Sequence, residues 1–369
     1  MRRDVWLAIT RRMFEARPSN LSASHAFSQV GVRAAPGARI ESLVPPAYPR
    51  SVRVQQLGAF SMRLAARSAS RLQKMKIRFA VGPHAGSLAG AEIVAFAESL
   101  EHAGFDGLWL SDLPVAPVLD PLLGLALAAG RTSRLHLGAN LVPLGRNPFL
   151  LAKELAQLDQ ISGGRLLLSF VTGLGQPGER QALGLDGARR GDVLEEVLGL
   201  LRSWWAGKPV DHHSERWTFD QLAAAARPVQ DPLEVWLGGR GPRALDRVGR
   251  IADGWLGAQL TPVEAESARR DIQAAAHRAG REVDPEHFGM SIPYARVTPN
   301  SELLGPLAAR RPDLDPLAFV PVGRTRLRDF IDGYVKAGLS KFVVRPLAPV
   351  ASWAEEATWL ADAILDLQT

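Results

Sequence analysis

From residue 75 onward the apolar positions fall into two alternating rhythms. Short continuous apolar runs read as buried strands: "KIRFAVG" (76–82), "GLWLSD" (107–112), "LHLGANLVP" (135–143), "RLLLSFV" (165–171), "LEVWLGG" (233–239), "GWLGAQL" (254–260), "FGMSIPYARV" (288–297) and "KFVVRPL" (341–347). Between them the apolar positions recur at helical spacing. Ile93, Ala97 and Leu100 lie on one such face, Leu151, Leu155 and Leu158 on a second, and Val193, Val197, Leu201 and Trp204 on a third. Punctuation agrees. Gly104 stands where a helix should end, Pro121 sits in a first turn, and Asn147-Pro148 reads as an N-cap followed by an N1 proline. Further helices are expected over 242–252, 263–280, 325–338 and 351–367.

Eight strand–helix units in about 295 residues predict an α/β fold, a (β/α)8 TIM barrel, with a doubly wound open sheet as the alternative. The proline-rich stretch 298–322 reads as an insertion between the seventh and eighth units. "DHHSERWTF" (211–219) reads as a surface hairpin and not a metal site, because neighbouring strand residues point to opposite faces.

Composition changes this picture in three places. No cysteine is present, which excludes disulfides, thiolate nucleophiles and cysteine metal sites. No apolar run is long enough for a membrane helix. The formal charge of +6 is uneven. Residues 1–74 hold 13 basic residues (12 Arg and Lys74) against Asp4, Glu15 and Glu41, a net of +10, so the remainder carries −4. A mildly acidic body gives no footprint for nucleic acid. The basic segment reads as a disordered tail or an over-extended start; an organelle-targeting segment and a small domain are the alternatives.

In a barrel, function gathers where strands end and βα loops begin. Those ends carry His84, Ser111-Asp112, Asn140-Leu141, Thr172-Gly173-Leu174-Gly175, Gly238-Gly239-Arg240-Gly241 and Arg345. The two glycine turns are expected to face one another across the mouth and to bind an anion through backbone N–H groups. The helix starting at Pro242 and Arg240 would add positive potential. Neither turn matches a P-loop. No lysine falls at the end of a strand, which speaks against a Schiff-base enzyme. Carboxylates and histidines at strand ends are too few for a metal hydrolase, so no metal is expected.

Four stretches resemble the luciferase-like, flavin-dependent oxidoreductases: "GFDGLWLSD", "LHLGANLVPLGRNPFLLAKELAQLDQISGGRLLLSFVTG", "LEVWLGGRGPRALDRVGRIADGWL" and "GYVKAGLSKFVVRPL". The resemblance covers roughly residues 75–366 and is closest to the branch that uses coenzyme F420, with FMN as the alternative cofactor. It implies that Thr172, Gly173, Gly175, Gly238, Gly239, Arg240 and Gly241 hold the cofactor phosphate. It also implies that Asn140 and Leu141 back the ring through a non-prolyl cis peptide. Where related dehydrogenases carry histidine after the second strand's Ser-Asp, this chain has Leu113; their glycine-loop glutamate is also missing. Asp112 is then the expected catalytic residue, with His84, Arg146 and Glu179 as further candidates and Arg146 and Arg345 as possible anion contacts. The implied activity is hydride transfer with a small organic substrate, in a cytoplasmic homodimer. An FMN monooxygenase, a non-catalytic flavin-binding relative and a phosphate-binding barrel lyase or isomerase without flavin are the rivals.

Overall fold

The structure, a computed structural model, describes residues 75–84, 90–185 and 187–369. The expectations for residues 1–74 lie outside the described residues. Eight parallel strands close into a barrel: β1 (Arg78–Val81), β2 (Gly107–Ser111), β3 (His136–Leu141), β4 (Leu166–Phe170), β7 (Val235–Gly238), β8 (Gly254–Ala258), β9 (Phe288–Tyr294) and β10 (Lys341–Pro346). Closure is explicit in the register: β1 pairs with β2 through Val81↔Leu108 and with β10 through Val81↔Val344. The open-sheet alternative is thereby excluded.

The helices are α1 (Glu92–Ala103), α2 (Pro121–Ala129), α3 (Pro148–Ser162), α4 (Pro177–Ala182), α5 (Arg190–Trp205), α6 (Pro242–Ile251), α7 (Pro262–Arg278), α8 (Ser301–Arg310), α9 (Gly323–Lys336) and α10 (Trp353–Ile364). Their ends follow the local chemistry. Asn147 Oδ1 accepts from the N–H groups of Phe149 and Leu150 at 3.0 and 3.1 Å, satisfying two donors that an open helix start leaves free. Gly104 closes α1 in the left-handed region, at φ 92°. Thr261 and Glu264 form a reciprocal capping box on α7. No described helix is long and apolar enough to cross a membrane.

The main core lies between the strands and the helix ring. One buried polar residue organises its most diagnostic block. The Asp159 carboxylate on α3, fully buried, accepts from the N–H groups of Val229 and Gln230 at 2.7 and 2.9 Å and from Gln230 Nε2 at 2.7 Å. This fastens the lead-in to β7 onto α3. The hairpin forms as expected, from β5 (Val210–His213) and β6 (Thr218–Leu222), antiparallel and outside the barrel. The insertion carries α8 and a short 3-10 turn (Pro316–Ala318), packed on its own small cluster of Leu307, Phe319 and Val320 with Ala295 and Leu347.

Two expectations are corrected. Among the described residues the one cis peptide is Asp231–Pro232, so Asn140–Leu141 is trans. β3 keeps regular pairing with β4 through Leu141↔Phe170, and the Leu141 carbonyl accepts from Val171 N–H at 2.9 Å. The two glycine turns are neighbours and do not face one another, because β4 pairs directly with β7.

Candidate active site

The barrel interior has two layers of different character. In the lower layer Ala80, Trp109, Leu256 and Val343 pack together with Leu167 and Trp236. Six strands meet here, so these side chains lie on the barrel axis. Gly138 makes room for the largest of them: a Cβ there would fall 2.0 Å from Trp109 Cε3. Strand alternation then puts Gly82, Ser111, Asn140, Ser169, Gly238, Ser291 and Arg345 on the inward face one layer higher. The upper layer is a cup of small and polar side chains on an aromatic floor.

Three polar atoms of this interior are shut off from solvent and have no hydrogen-bond partner: Trp109 Nε1, Ser169 Oγ and Arg345 Nη2. Buried polar groups are normally paired, since an unpaired one costs about 1–3 kcal/mol. Three in one interior make it the candidate ligand site. Arg345 donates its Nε–H to Ser291 Oγ at 3.1 Å, and burial pulls its pKa down to about 10. At the rim, His84 hydrogen-bonds to the Pro346 carbonyl; burial nevertheless lowers its pKa, favouring the neutral ring.

Asp112 is buried at the end of β2 and points away from the cup. Its Oδ2 accepts from Val142 N–H at 3.1 Å and Arg146 Nη2 at 3.0 Å. Arg146 Nη2 also reaches Asp120 Oδ2 at 3.0 Å, and Asp120 caps α2. Asp112 thus joins the ends of β2 and β3 to the start of α2. Burial raises its pKa despite the opposing Arg146 charge.

The turn after β4 folds onto its own side chains. Gly173 and Gly175 have φ of 73° and 76°, which only glycine adopts freely. Gly175 N–H donates to Glu179 Oε2, at 2.5 Å. Arg190 Nη1 donates to the carbonyls of Thr172 and Gly173 at 2.9 and 3.1 Å. Glu179, which takes the Gly175 N–H, is buried on α4. The turn after β7 stays open. Gly241 precedes α6 with no side-chain cap, and nothing lies within 4 Å of where its Cβ would be. Arg240 leans out, its Nη2 donating to the Arg310 carbonyl of α8 at 2.9 Å.

Thr172, Gly173, Gly175, Gly238, Gly239 and Gly241 are thus brought to one sector of the rim, and Asn140 to the cup. Leu141, fully buried, faces the outer core. Asp112 is held outside the cup, and Arg240 is engaged by the insertion. Sequence reasoning missed Arg190, which looked like an ordinary helix residue, and Ser169 and Ser291, whose strand parity was the available signal. Among the described residues no cluster of three His, Asp or Glu side chains is placed to hold a metal.

An eight-stranded parallel barrel with a polar cup at the strand ends and a glycine-lined rim defines an enzyme-type α/β barrel. The luciferase-like monooxygenase family model matches residues 74–302, and the chain belongs to that family of oxidoreductases. It is 30% identical over 204 residues to a 5,10-methylenetetrahydromethanopterin reductase of Methanolobus tindarius, covering 54% of this chain and 59% of the relative. It is 30% identical over 226 residues to an F420-dependent glucose-6-phosphate dehydrogenase of Nakamurella multipartita, covering 56% and 64%. The chain thus spans about three fifths of the length of these curated relatives. The fold is shared with the coenzyme F420-dependent tetrahydromethanopterin reductase of Methanopyrus kandleri, at a TM-score of 0.66 and 20% identity, over 80% of this chain and 100% of that one.

Proposed function

We propose that the protein is an F420-dependent oxidoreductase acting on a small organic substrate, in the cytoplasm and as a homodimer. The observation that carries the reading is the cup: small walls, an aromatic floor and orphaned buried donors beside an uncapped helix start. F420-dependent enzymes among the sequence relatives favour the deazaflavin over FMN. When bound, the deazaflavin supplies the hydride chemistry.

The chain's own residues orient and shield. Gly82 and Gly238 leave the cup wall without side chains, and a Cβ at either would strike a neighbour within 2.8 Å. Asn140 and Ser169, paired across β3 and β4, would present polar groups to the bound ring. The N-terminus of α6, preceded by Gly239 and Gly241, would hold the cofactor phosphate. Arg190 adds positive charge from α5 at the adjoining turn. His84, neutral near pH 7, is placed at the rim to give or take a proton, a better placed group than Asp112.

Fluorescence titration of the purified protein with F420 and with FMN tests this. F420 is expected to bind below about 100 μM, roughly 5.5 kcal/mol, and more tightly than FMN. Tighter FMN binding would transfer the reading to the flavin monooxygenases, and binding of neither would overturn it.

A further inference from the structure

Arg345 asks for a partner that the barrel does not give it. Its Nε–H is bonded to Ser291 Oγ, and it makes no other hydrogen bond or ion pair among the described residues. Its Nη2 is enclosed and unpaired. The backbone is shaped to admit the guanidinium: a Cβ on Gly82 would lie 2.8 Å from Arg345 Nη1 and 2.8 Å from the Trp109 carbonyl. No carboxylate balances the charge within the cup's upper layer, where Gly82, Ser111, Asn140, Ser169, Gly238 and Ser291 are all neutral. Asp112 is turned outward to Arg146. An isolated cation kept in a shielded, low-dielectric place is costly unless an anion joins it.

We infer that Arg345 is a substrate-recognition residue and that the cup takes a ligand bearing a carboxylate. One cation selects one negative charge, and the planar guanidinium edge matches two coplanar oxygens. A phosphate dianion would call for further cations, which the upper layer lacks. Ser291 sets the fork's orientation through Nε, and Nη2 is left without a partner inside the barrel. Ser169 Oγ and Trp109 Nε1 stand in the same interior with donors to spare. The burial that lowers the Arg345 pKa is what strengthens its pairing with an anion. This deepens the oxidoreductase reading by naming its substrate class, and it rests on the cup being the substrate pocket.

The test uses sodium benzoate as probe and benzamide as its neutral isostere, titrated into the cofactor-free full chain at constant ionic strength. Calorimetry reads affinity, and the Arg Nε–H resonances report contact. Wild-type protein is expected to bind benzoate saturably, to ignore benzamide, and to shift one buried Nε–H resonance. Arg345→Gln should weaken benzoate about tenfold or more, and Arg345→Lys should weaken it less, since it keeps charge without the fork. Equal binding of benzamide, no benzoate binding, or undiminished binding to folded Arg345→Gln would overturn the inference. The benzamide comparison needs no variant, so it stands even if Arg345→Gln does not fold. F420 titration of Arg345→Gln separates the other source of anionic character. If cofactor affinity falls about tenfold while benzoate binding is kept, the guanidinium serves the cofactor ring and the inference fails. If F420 binds to neither protein but benzoate binding depends on Arg345, the proposed function fails and the carboxylate site stands.

Discussion

The turns after β4 and β7 look alike in sequence and do different things. Both put glycines between a strand and a helix, and they lie side by side at the rim. After β4 the glycines are used internally: Gly175 N–H is taken by Glu179, and Arg190 spans two carbonyls. After β7 the glycine before α6 meets nothing, and the helix start carries no side-chain cap. Glycine after a strand signals a backbone of unusual conformation or close approach. Whether that backbone serves the protein or a ligand depends on side chains several residues downstream.

Three experiments sharpen or break this contrast. The largest effect is expected from Gly173→Ala. The residue sits at φ 73°, and its Cβ would lie 2.7 Å from Glu179 Oε1. Urea unfolding should show a loss of about 1–3 kcal/mol, whereas Gly241→Ala should stay within about 0.5 kcal/mol. Equal losses would abolish the distinction between a self-occupied and an open turn. Next, Glu179→Gln keeps an acceptor for Gly175 N–H and removes a negative charge beside the proposed phosphate site. At about 1 kcal/mol for a close charge pair in a water-like medium, F420 affinity should rise about fivefold. An unchanged Kd would place the phosphate away from this turn.

The smallest expected effect concerns Asp112. Its pKa is raised by burial, so its folded value lies above its unfolded one. Such a group favours the folded state at low pH, and that advantage is lost as pH rises through the folded pKa. Asp112→Asn should therefore gain stability relative to wild type as pH rises from about 4 through the raised folded pKa. Melting temperatures across that range check it. A fall in relative stability would mean that Arg146 outweighs burial, and Asp112 would then be an ion-pair anchor.

The barrel was legible because each strand is a continuous apolar run followed by a helix with its own stop and start residues, from Gly104 to Asn147-Pro148. The family was legible in the block containing Asp159, which three bonds fasten to residues 229–230. The site was less legible. Asp112 drew attention as a carboxylate at a strand end, but residue parity turns it from the cup to Arg146. Arg240 looked free because its partner, the Arg310 carbonyl, is 70 positions away. Glu179 reaches the turn after β4 from only four residues on, but Arg190 reaches it from 17 and 18 positions away, a contact that no local pattern records. The cis peptide expected at Asn140–Leu141 came from resemblance alone, and the pairing of β3 with β4 through Leu141 runs in regular trans geometry.

The Trp109 indole over Gly138 has a consequence for assembly. The ring occupies the space of the missing side chain, so it works as a key cut for one alignment of β2 and β3. A slip of one residue would put Leu137 or Ala139 under it and jam the sheet. The same ring is the floor of the cup. A chain whose strands have closed in any other alignment therefore has no floor for a ligand to rest on. Ligand binding becomes a report on correct closure, and any molecule that fills the cup will draw the population toward the properly closed barrel.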